Sequence, residues 1–299
     1  MSSSPSTEPA APNARVLVIG AAGLLGSALM AAFADDAAGV DHGRLDLEDP
    51  SGVATLLARS RPEVVVNTAA FHNVEQCERL PERAFAINAL AVDRLAGLCT
   101  QAGARLVHLS TDYVFSGEAS TPYREDAAAE PANAYGASKI AGEHLLRRHG
   151  DGHVVIRTSG LYGTGSTSVG KGGSFAERIL RQARAGERIR VVDDTETTPS
   201  NTAHVAAAIR AIVDRGLGGR FHVTNGGSCS WHAFATELLR QAGLPAAVEP
   251  VSSATFPSLA RRPRYSVLAH AAMTASGLPP MPGWQEGITT YLASERNRL

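Results

Sequence analysis

Tyr135 and Lys139 are the residues of this chain best suited to move a proton. They lie in Tyr135-Gly-Ala-Ser-Lys139 at the start of a helical pattern, and this spacing puts both side chains on one face of a helix. A phenol has a pKa near 10, so proton exchange near neutral pH requires that pKa to fall by about 3 units. A nearby ammonium group lowers it. An ordinary surface pair is the alternative interpretation when the two residues are considered alone.

Thr111 is a candidate for polarising a carbonyl group near that pair. It lies in Ser110-Thr-Asp112, at the expected carboxyl end of the strand Arg105–Ser110. Its hydroxyl group could donate a hydrogen bond to a substrate carbonyl oxygen. A threonine at a strand end also commonly bonds local backbone groups. The catalytic interpretation therefore depends on Tyr135 and Lys139 lying beside it.

Three glycines follow the apolar run Arg15–Ile19, in Gly20-Ala-Ala-Gly23-Leu-Leu-Gly26. In a strand-to-helix turn, Gly20 permits the tight turn, Gly23 lets backbone approach a pyrophosphate, and Gly26 allows close packing of helix on strand. The phosphates then meet the positive end of the helix dipole. A glycine-rich turn without a ligand is the alternative. Together with Tyr135, the turn predicts a nicotinamide dinucleotide site.

Asp41 stands where a short second strand should end. An acidic residue at this position accepts hydrogen bonds from the adenosine ribose and disfavours a 2′-phosphate. His42 and Arg44 lie beside it and could balance such a phosphate, so the choice between NADH and NADPH stays open. Asp46 is either a ligand of the adenine amino group or a turn residue.

Composition excludes several other classes of protein. The formal net charge of -1 gives no reason to expect nucleic acid or an anionic membrane as partner. No apolar run approaches the roughly 20 residues that span a bilayer, and the first residues lack the features of a secretory signal. The three cysteines are widely spaced, which fits reduced thiols in a cytoplasm. No His or Cys spacing predicts a metal site.

Short apolar runs alternate with longer amphipathic segments. The runs lack polar alternation, which is typical of parallel strands covered by helices on both faces. The pattern predicts an α/β fold with a doubly wound, Rossmann-like parallel sheet and right-handed crossovers. The predicted strands are Arg15–Ile19, Glu63–Asn67, Arg105–Ser110, His153–Arg157, Arg188–Val192 and Phe221–Thr224, and the predicted helices are Leu24–Ala34, Pro81–Gln101, Ser174–Ala185, Ala203–Arg215 and Trp231–Ala242.

The regular alternation ends after Arg157. Gly163–Gly173 is rich in Gly, Ser and Thr, which predicts a mobile loop. We expect a disordered tail at 1–14 and a mainly dinucleotide-binding domain at 15–228. An insertion at about 160–190 joins a small C-terminal α/β lobe at 229–299. This lobe is predicted to close over the carboxyl edge of the sheet, where α/β folds bind ligands.

Together these features resemble the extended short-chain dehydrogenase/reductases, specifically the dTDP-4-dehydrorhamnose reductase family of nucleotide-sugar ketoreductases. The resemblance runs from about Arg15 to Leu292. The glycine turn and the tyrosine–lysine pair mark the superfamily, whereas Ser110-Thr-Asp-Tyr-Val-Phe115 and Ala260-Arg-Arg-Pro263 are narrower. Further carriers are Asn67-Thr-Ala-Ala70, Gly117, Gly142-Glu143, Arg157-Thr-Ser159, Val191-Val-Asp-Asp194 and Thr198-Pro199.

The resemblance implies reduction by NADPH or NADH of the C4 ketone of a nucleotide-linked, dTDP-type 4-keto-6-deoxysugar. Thr111 would polarise the ketone, Tyr135 would donate the proton, and Lys139 would orient the nicotinamide ribose. The implied cofactor-binding residues are Gly20, Gly23, Leu24, Leu25, Gly26, Asp41, Asp46, Leu47, Asn67, Ala69, Ala70, Tyr135, Lys139 and Arg157. The implied substrate-binding residues are Thr111, Asp112, Phe175, Thr198 and Arg261. A homodimer is compatible with the sequence, which does not fix the oligomeric state.

The sequence departs from the family pattern on the substrate side. Gly160 stands where many members carry a tryptophan, and Ser174 replaces the usual asparagine before Phe175. Thr195-Glu-Thr-Thr198 and Phe71-His-Asn-Val74 also differ from the common motifs. The reductase chemistry is therefore better supported than rhamnose as the product sugar.

Two other functions remain open. An epimerase or dehydratase would recycle a bound cofactor, but a dehydratase is expected to show an Asp-Glu pair where this chain has Asp112-Tyr113. A non-catalytic regulatory subunit would keep the fold and bind dinucleotide. The presence of Thr111, Tyr135 and Lys139 argues against this last alternative.

Overall fold

The computed structural model describes residues 14–165 and 173–296, except for the side chains of residues 295 and 296. The predicted disordered tail, apart from residue 14, lies outside the described residues. Residues 166–172 of the predicted mobile loop lie outside them too. No helix in the described ranges is both long and apolar enough to cross a membrane.

Strands and helices alternate through the first half of the chain. The strands are β1 (Val16–Ile19), β2 (Ala37–Val40), β3 (Val64–Asn67), β4 (Arg105–Thr111), β5 (Val154–Thr158), β6 (Leu161–Tyr162), β7 (Ile189–Val192), β8 (Ser200–Asn201), β9 (Gly219–His222) and β10 (Val248–Val251). The helices are α1 (Leu24–Phe33), α2 (Pro50–Ser60), α3 (Val74–Arg79), α4 (Pro81–Phe85), α5 (Ala91–Gln101), α6 (Ala134–Arg147), α7 (Phe175–Arg184), α8 (Thr202–Asp214), α9 (Trp231–Ala242), α10 (Ala271–Ala275) and α11 (Trp284–Arg296). Shorter turns are Ala34–Asp36, Asp112–Val114, Ser253–Thr255 and the wider π-type turn Ala86–Leu90.

The main sheet confirms the predicted fold. In the described part of the chain it has six strands in the order β2-β1-β3-β4-β5-β9, all paired in parallel. The strand order reverses between β1 and β3, and ligands of open α/β sheets bind at such a switch point, beyond the carboxyl ends of the strands. The glycine turn follows β1, and Asn67 ends β3, so both lie there.

Alternate residues of each central strand enter different cores, which explains the unbroken apolar runs. Val16 and Val18 of β1 pack with Leu29 of α1 and residues of α8. Leu17 and Ile19 point the other way, into a core with α2, α5 and α6. Helices therefore cover both faces of the sheet, as its composition predicts.

A smaller lobe is built from segments that lie apart in the sequence. Strands β7 and β10 pair in parallel, and residues of α7, α9 and α11 share one hydrophobic core with them. In contrast, Met273 of α10 packs into the core of the main sheet. The described part of 229–299 therefore contributes to both units, and the predicted domain division stays a prediction.

The predicted helix Pro81–Gln101 is helical throughout but contains a π-type turn in its middle. The π-type turn Ala86–Leu90 separates α4 from α5 and places the buried Asn88 between two other elements. Its amide bonds the backbone of Phe71 and the hydroxyl group of Ser138. These partners are distant in sequence, so helical periodicity alone does not reveal the interruption.

Candidate active site

The glycine turn has the tight geometry that its sequence predicts. Gly20 has φ +84°, and a Cβ there would lie 2.5 Å from Thr68 Oγ1. The backbone N–H groups of Gly20 and Ala21 both donate to Val40 O, at 2.8 and 3.1 Å. A Cβ on Gly26 would lie 2.0 Å from Gly20 O. Gly20 and Gly26 are therefore required by the fold itself.

The N-terminus of α1 is available for an anion. Gly23 is its N-cap, no side chain caps it, and the first turn has no acidic residue. A Cβ on Gly23 would be 3.1 Å from Gly20 O, so packing alone does not demand glycine there. Leu25 is buried in the core and Leu24 is half-buried, which leaves the backbone N–H groups of this turn as the groups suited to a pyrophosphate. The residues fit a dinucleotide.

Asp41 directly follows β2, next to the turn, and its Oδ1 accepts from Gly43 N–H at 3.0 Å. His42 and Arg44 beside it are exposed. Asp46 is exposed and accepts from the backbone of Glu48. Leu47 is buried in the core, so only its backbone could meet a ligand. The segment after β2 therefore carries both an acidic and a basic group near the position predicted for the adenosine.

The segment after β3 lies across the turn. Asn67 is buried, and its Oδ1 accepts from Ala69 N–H at 3.0 Å. Thr68 Oγ1 donates to Ile19 O at 2.9 Å. Ala69 and Ala70 are half-buried and line the switch point with small side chains. They stay candidates for cofactor contact, whereas the Asn67 amide is already engaged by protein groups.

Thr111 and Tyr135 meet at the carboxyl end of β4, and their hydroxyl groups are hydrogen-bonded. Thr111 Oγ1 donates to Asp112 Oδ1 at 3.0 Å and accepts from Tyr113 N–H at 3.2 Å. A Cβ on Gly136 would lie 2.0 Å from Tyr113 O. Only glycine after Tyr135 therefore lets α6 approach this strand end. The structure thus brings the predicted hydroxyl pair together.

The expected lowering of the phenol pKa is wrong for this structure. Burial raises the pKa of Tyr135 above its usual value. The hydrogen bond with Thr111 is the largest opposing effect, and the carboxyl group of Asp112 raises the pKa further. Tyr135 therefore keeps its proton at neutral pH in this structure.

Lys139 points into the protein interior, one turn further along α6. It is 1% exposed, and its Nζ lies 2.5 Å from Leu109 O and 3.1 Å from His108 Nε2. Burial lowers the pKa of Lys139 to about 8, and Glu143 acts in the opposite direction. The sequence analysis missed His108, because its position within a strand gave no signal of contact with Lys139.

Asp112 lies among buried hydroxyl groups. Besides Thr111, it lies close to the hydroxyl groups of Ser159 and Ser266, and the Ser266 hydroxyl group donates to Thr197 Oγ1 at 3.0 Å. Burial raises the pKa of Asp112 to about 6. Its carboxyl group therefore lies behind Thr111, where it can order that hydroxyl group.

The other predicted substrate residues do not converge with Thr111. Thr198 is fully buried and donates to Gly227 O at 2.9 Å, so its hydroxyl group is not free for a ligand. Phe175 starts α7 and packs on Trp231, with ring centroids 4.7 Å apart. Arg261 is exposed and pairs with Glu118 at 2.6 Å. Each side chain therefore has a protein partner outside the catalytic group.

The side chain of Arg262, which was not predicted from the sequence, contacts a neighbour of the catalytic residues, whereas that of Arg261 pairs with a surface glutamate. It hydrogen-bonds with Tyr113 and pairs with Glu75 at 3.5 Å. The ring of Tyr113 meets that of Tyr135 edge to face, with centroids 5.8 Å apart. The sequence shows that two adjacent arginines are present, but it does not show which of the two lies near Tyr113.

The predicted cofactor role of Arg157 is not supported. Its guanidinium group is fully buried and binds Glu143 through two bonds, Nε to Oε1 at 2.9 Å and Nη2 to Oε2 at 2.8 Å. It also lies over the ring of Phe115. A buried pair of this kind requires each partner to neutralise the other. The side chain is therefore committed to the protein core.

The departures from the family pattern have structural counterparts. Gly160 has φ +54°, and a Cβ there would be 3.2 Å from Cη2 of Trp231. The ring of Trp231 therefore occupies space beside the position where many relatives carry a tryptophan. Ser174 caps α7 and forms a capping box with Glu177, which accounts for a serine at that position.

Comparison with known proteins agrees with this geometry. Residues 14–297 match the family model described as RmlD substrate binding domain. The chain is similar to dTDP-4-dehydrorhamnose reductase of Streptomyces griseus, with 38% identity covering 93% of both chains. It is also similar to dTDP-4-keto-6-deoxy-D-glucose reductase of Streptomyces niveus, with 36% identity covering 92% of this chain and 95% of the relative. A crystal structure of dTDP-4-dehydrorhamnose reductase from Bacillus anthracis in complex with NADP matches with a TM-score of 0.89 at 34% identity, covering 94% and 99% of the two chains.

Proposed function

Because the chain belongs to the dTDP-4-dehydrorhamnose reductase family, we propose that it uses NADPH or NADH to reduce the C4 ketone of a dTDP-linked 4-keto-6-deoxysugar. The observation that carries the proposal is the hydrogen-bonded pair Thr111–Tyr135 at the carboxyl end of β4. The pair lies at the same edge of the parallel sheet as the glycine turn after β1. A candidate acid for a carbonyl oxygen and a candidate dinucleotide site thus lie at one edge of the sheet, which supports the proposal.

The chain's own residues define where the cofactor would lie. The α1 N-terminus at Gly23 would hold the pyrophosphate, Asp41 the adenosine ribose, and Ala69 and Ala70 the inner wall. Arg44 beside Asp41 would serve a 2′-phosphate if NADPH is preferred. The bound nicotinamide supplies the hydride that reduces the ketone.

Tyr135 gives its phenolic proton to the ketone oxygen as the C4 carbon is reduced. Thr111 first has to turn its hydroxyl hydrogen from Asp112 to that oxygen, because a hydroxyl group has only one hydrogen to donate. Asp112 accepts the hydrogen in the resting structure and so holds the Thr111 oxygen in place. The raised pKa of Tyr135 keeps the acid protonated until the developing alkoxide takes its proton.

The sugar itself is the less constrained part of the proposal. Phe175 and Trp231 provide an apolar wall at the start of α7 and α9, and Arg261 or Arg262 supplies a cation suited to the diphosphate. The Gly160–Trp231 arrangement replaces the aromatic group that many relatives carry next to the sugar. Both the 4-keto-6-deoxyglucose nucleotide and its 3,5-epimerised product are therefore candidate substrates.

Two alternatives remain to be tested. An epimerase or dehydratase would leave the cofactor in its starting redox state, and Asp112-Tyr113 lacks the second carboxylate expected of a dehydratase. A regulatory subunit would bind dinucleotide without turnover. The intact Thr111–Tyr135 contact favours an enzyme over the regulatory subunit.

The setting of the enzyme is part of the same proposal. We place it in the cytoplasm, since Cys77, Cys99 and Cys229 are buried free thiols, as expected in a reducing compartment. We also propose a homodimer, for which Leu80 and Leu90, exposed around α4 and α5, offer apolar surface. Light scattering of the purified chain tests the dimer.

The decisive assay is loss of reduced-nicotinamide absorbance with NADPH, then NADH, in the presence of each keto sugar. Oxidation that depends on one sugar supports the reductase and ranks both sugar and cofactor. Binding of NADPH without oxidation by either sugar would contradict the proposed substrate class and favour the regulatory alternative.

A further inference from the structure

A chain of buried polar side chains connects the switch point of the sheet to Lys139. Asn67 Nδ2 lies 3.3 Å from His108 Nδ1, and His108 Nε2 lies 3.1 Å from Lys139 Nζ. At the far end, Lys139 Nζ donates to Leu109 O at 2.5 Å. Asn67, His108 and Lys139 are each at most 1% exposed, so solvent does not complete their hydrogen bonds.

The direction of this chain is fixed at its first link. The backbone N–H of Ala69 donates to Asn67 Oδ1, so the amide cannot be turned over without placing two donors face to face. Asn67 therefore presents its NH₂ group to His108, whose Nδ1 must accept. A neutral imidazole that accepts at Nδ1 carries its hydrogen on Nε2. That hydrogen points to Lys139 Nζ, which accepts a hydrogen bond only as an uncharged amine.

We propose that His108 is a positioning residue that lowers the proton affinity of Lys139 by donating a hydrogen bond to the nitrogen of its uncharged form. Protonating Lys139, with a proton from solvent, removes the lone pair that accepts this bond. His108 would then have to move its hydrogen to Nδ1, where it meets the NH₂ group of Asn67. Forming the ammonium group therefore always sacrifices one hydrogen bond of the chain.

The charged groups around Lys139 do not cancel the proposed effect of His108 on its proton affinity. Glu143 on α6 favours the ammonium form, but it is bonded by Arg157 of β5 and lies 3.3 Å from Arg220 of β9. Strand β3 contributes the neutral Asn67. On β4, burial and the neighbouring lysine lower the pKa of His108 well below its usual value, so the imidazole is neutral. Burial lowers the pKa of Lys139 to about 8, so the ammonium form predominates at neutral pH and the amine form is reached just above it.

The catalytic consequence rests on the proposed ketoreductase function. The ammonium form of Lys139 stabilises a phenolate at Tyr135, whereas the amine form can take up a proton during turnover. The protonation state of Lys139, set by His108, then appears in the pH dependence of the reaction.

The lysine content of the chain makes the test direct. The sequence contains two lysines, Lys139 and Lys171, and Lys171 lies outside the described residues. In Lys171→Arg protein labelled with ¹³C-lysine, the single Cε resonance reports the titration of Lys139 in the full chain. Two-bond ¹H–¹⁵N spectra of the same protein show which ring nitrogen of His108 carries hydrogen. Both measurements are made without substrate, so they judge the inference even if the proposed activity is absent.

His108→Gln supplies the perturbation and His204→Gln its matched control. A glutamine oxygen at position 108 can accept from an ammonium group, so the Lys139 titration midpoint should rise by about one pH unit or more. The inflection in the pH profile of kcat/KM should move in the same direction. His204 is bonded to Asn225 and Thr290 instead, and its replacement should leave the midpoint unchanged. Circular dichroism establishes that each variant is folded.

In the unmutated network, the expected result is a Lys139 midpoint well below the ordinary value near 10.4 and, above that midpoint, hydrogen on Nε2 of His108. Hydrogen on Nδ1 above the midpoint, or an ordinary midpoint, overturns the proposal. An unshifted midpoint in folded His108→Gln protein overturns it as well. If that variant does not fold, the ring spectra of the protein with His108 decide.

Discussion

Replacing Gly23 with alanine tests whether a ligand, rather than the fold, requires glycine at this position. Gly23 has φ −73°, which alanine adopts freely, and the new Cβ would lie 3.1 Å from Gly20 O. The weaker N-cap costs about 1 kcal/mol, and the smaller entropy of the unfolded chain offsets about 0.4–1 kcal/mol. We expect the free energy of unfolding to change by no more than about 1 kcal/mol.

Binding should suffer much more. The added methyl group stands at the uncapped N-terminus of α1, where the pyrophosphate would approach the backbone. Loss of one hydrogen bond to a charged group is worth about 1.5–3 kcal/mol, which corresponds to a rise in Kd of roughly 10- to 100-fold. Titration of NADPH fluorescence measures Kd, and urea unfolding of the same preparation measures stability.

Gly26→Ala is the contrasting variant. Its Cβ would lie 2.0 Å from the oxygen and 2.8 Å from the carbonyl carbon of Gly20, so backbone must move and the fold should lose at least about 1–3 kcal/mol. Gly23→Ala protein that is stable and binds NADPH as tightly as wild type would refute the placement of the pyrophosphate at this turn.

Three further outcomes follow from the contacts of single side chains. Tyr135→Phe should lower turnover by about 10²- to 10⁴-fold with nearly unchanged NADPH affinity; near-wild-type turnover would remove Tyr135 from the mechanism. Glu143→Gln should cost about 3–5 kcal/mol in urea unfolding, whereas the exposed Glu249→Gln should cost about 0–1 kcal/mol; equal effects would contradict the buried pair. Because the pKa of Asp112 is raised to about 6, its ionisation destabilises the fold as pH rises from about 4 to about 6. Wild type should lose up to about 3 kcal/mol relative to Asp112→Asn over that range, and a difference in unfolding free energy independent of pH would contradict this.

The features predicted from sequence are those whose causes are local. Gly26 is fixed by a contact within one turn, Gly20 by its positive φ, and the apolar strands by burial on both faces, so short segments of sequence were enough to predict them. Thr111 and Tyr135 were predicted together because a strand end and a helix start recur at one edge of such sheets.

The features that sequence did not supply depend on partners far apart in the chain. The guanidinium group of Arg157 pairs with Glu143, and both side chains are buried in the protein interior. Thr198 is satisfied by a carbonyl group of a distant loop, and His108 reaches Lys139 only after β4 and α6 have packed. Periodicity shows which face of an element is buried, but it does not identify the polar partner found there.

Transfer of deuterium from NADPH labelled at the nicotinamide C4 tests the central claim most directly. Each of the two labelled stereoisomers is incubated with the enzyme and dTDP-4-keto-6-deoxysugar, and the product is examined by NMR. We predict one deuterium at C4 of the sugar from one stereoisomer, with equimolar oxidation of the cofactor. Product that carries no deuterium at C4 with either stereoisomer, or that forms without net cofactor oxidation, would contradict a ketoreductase.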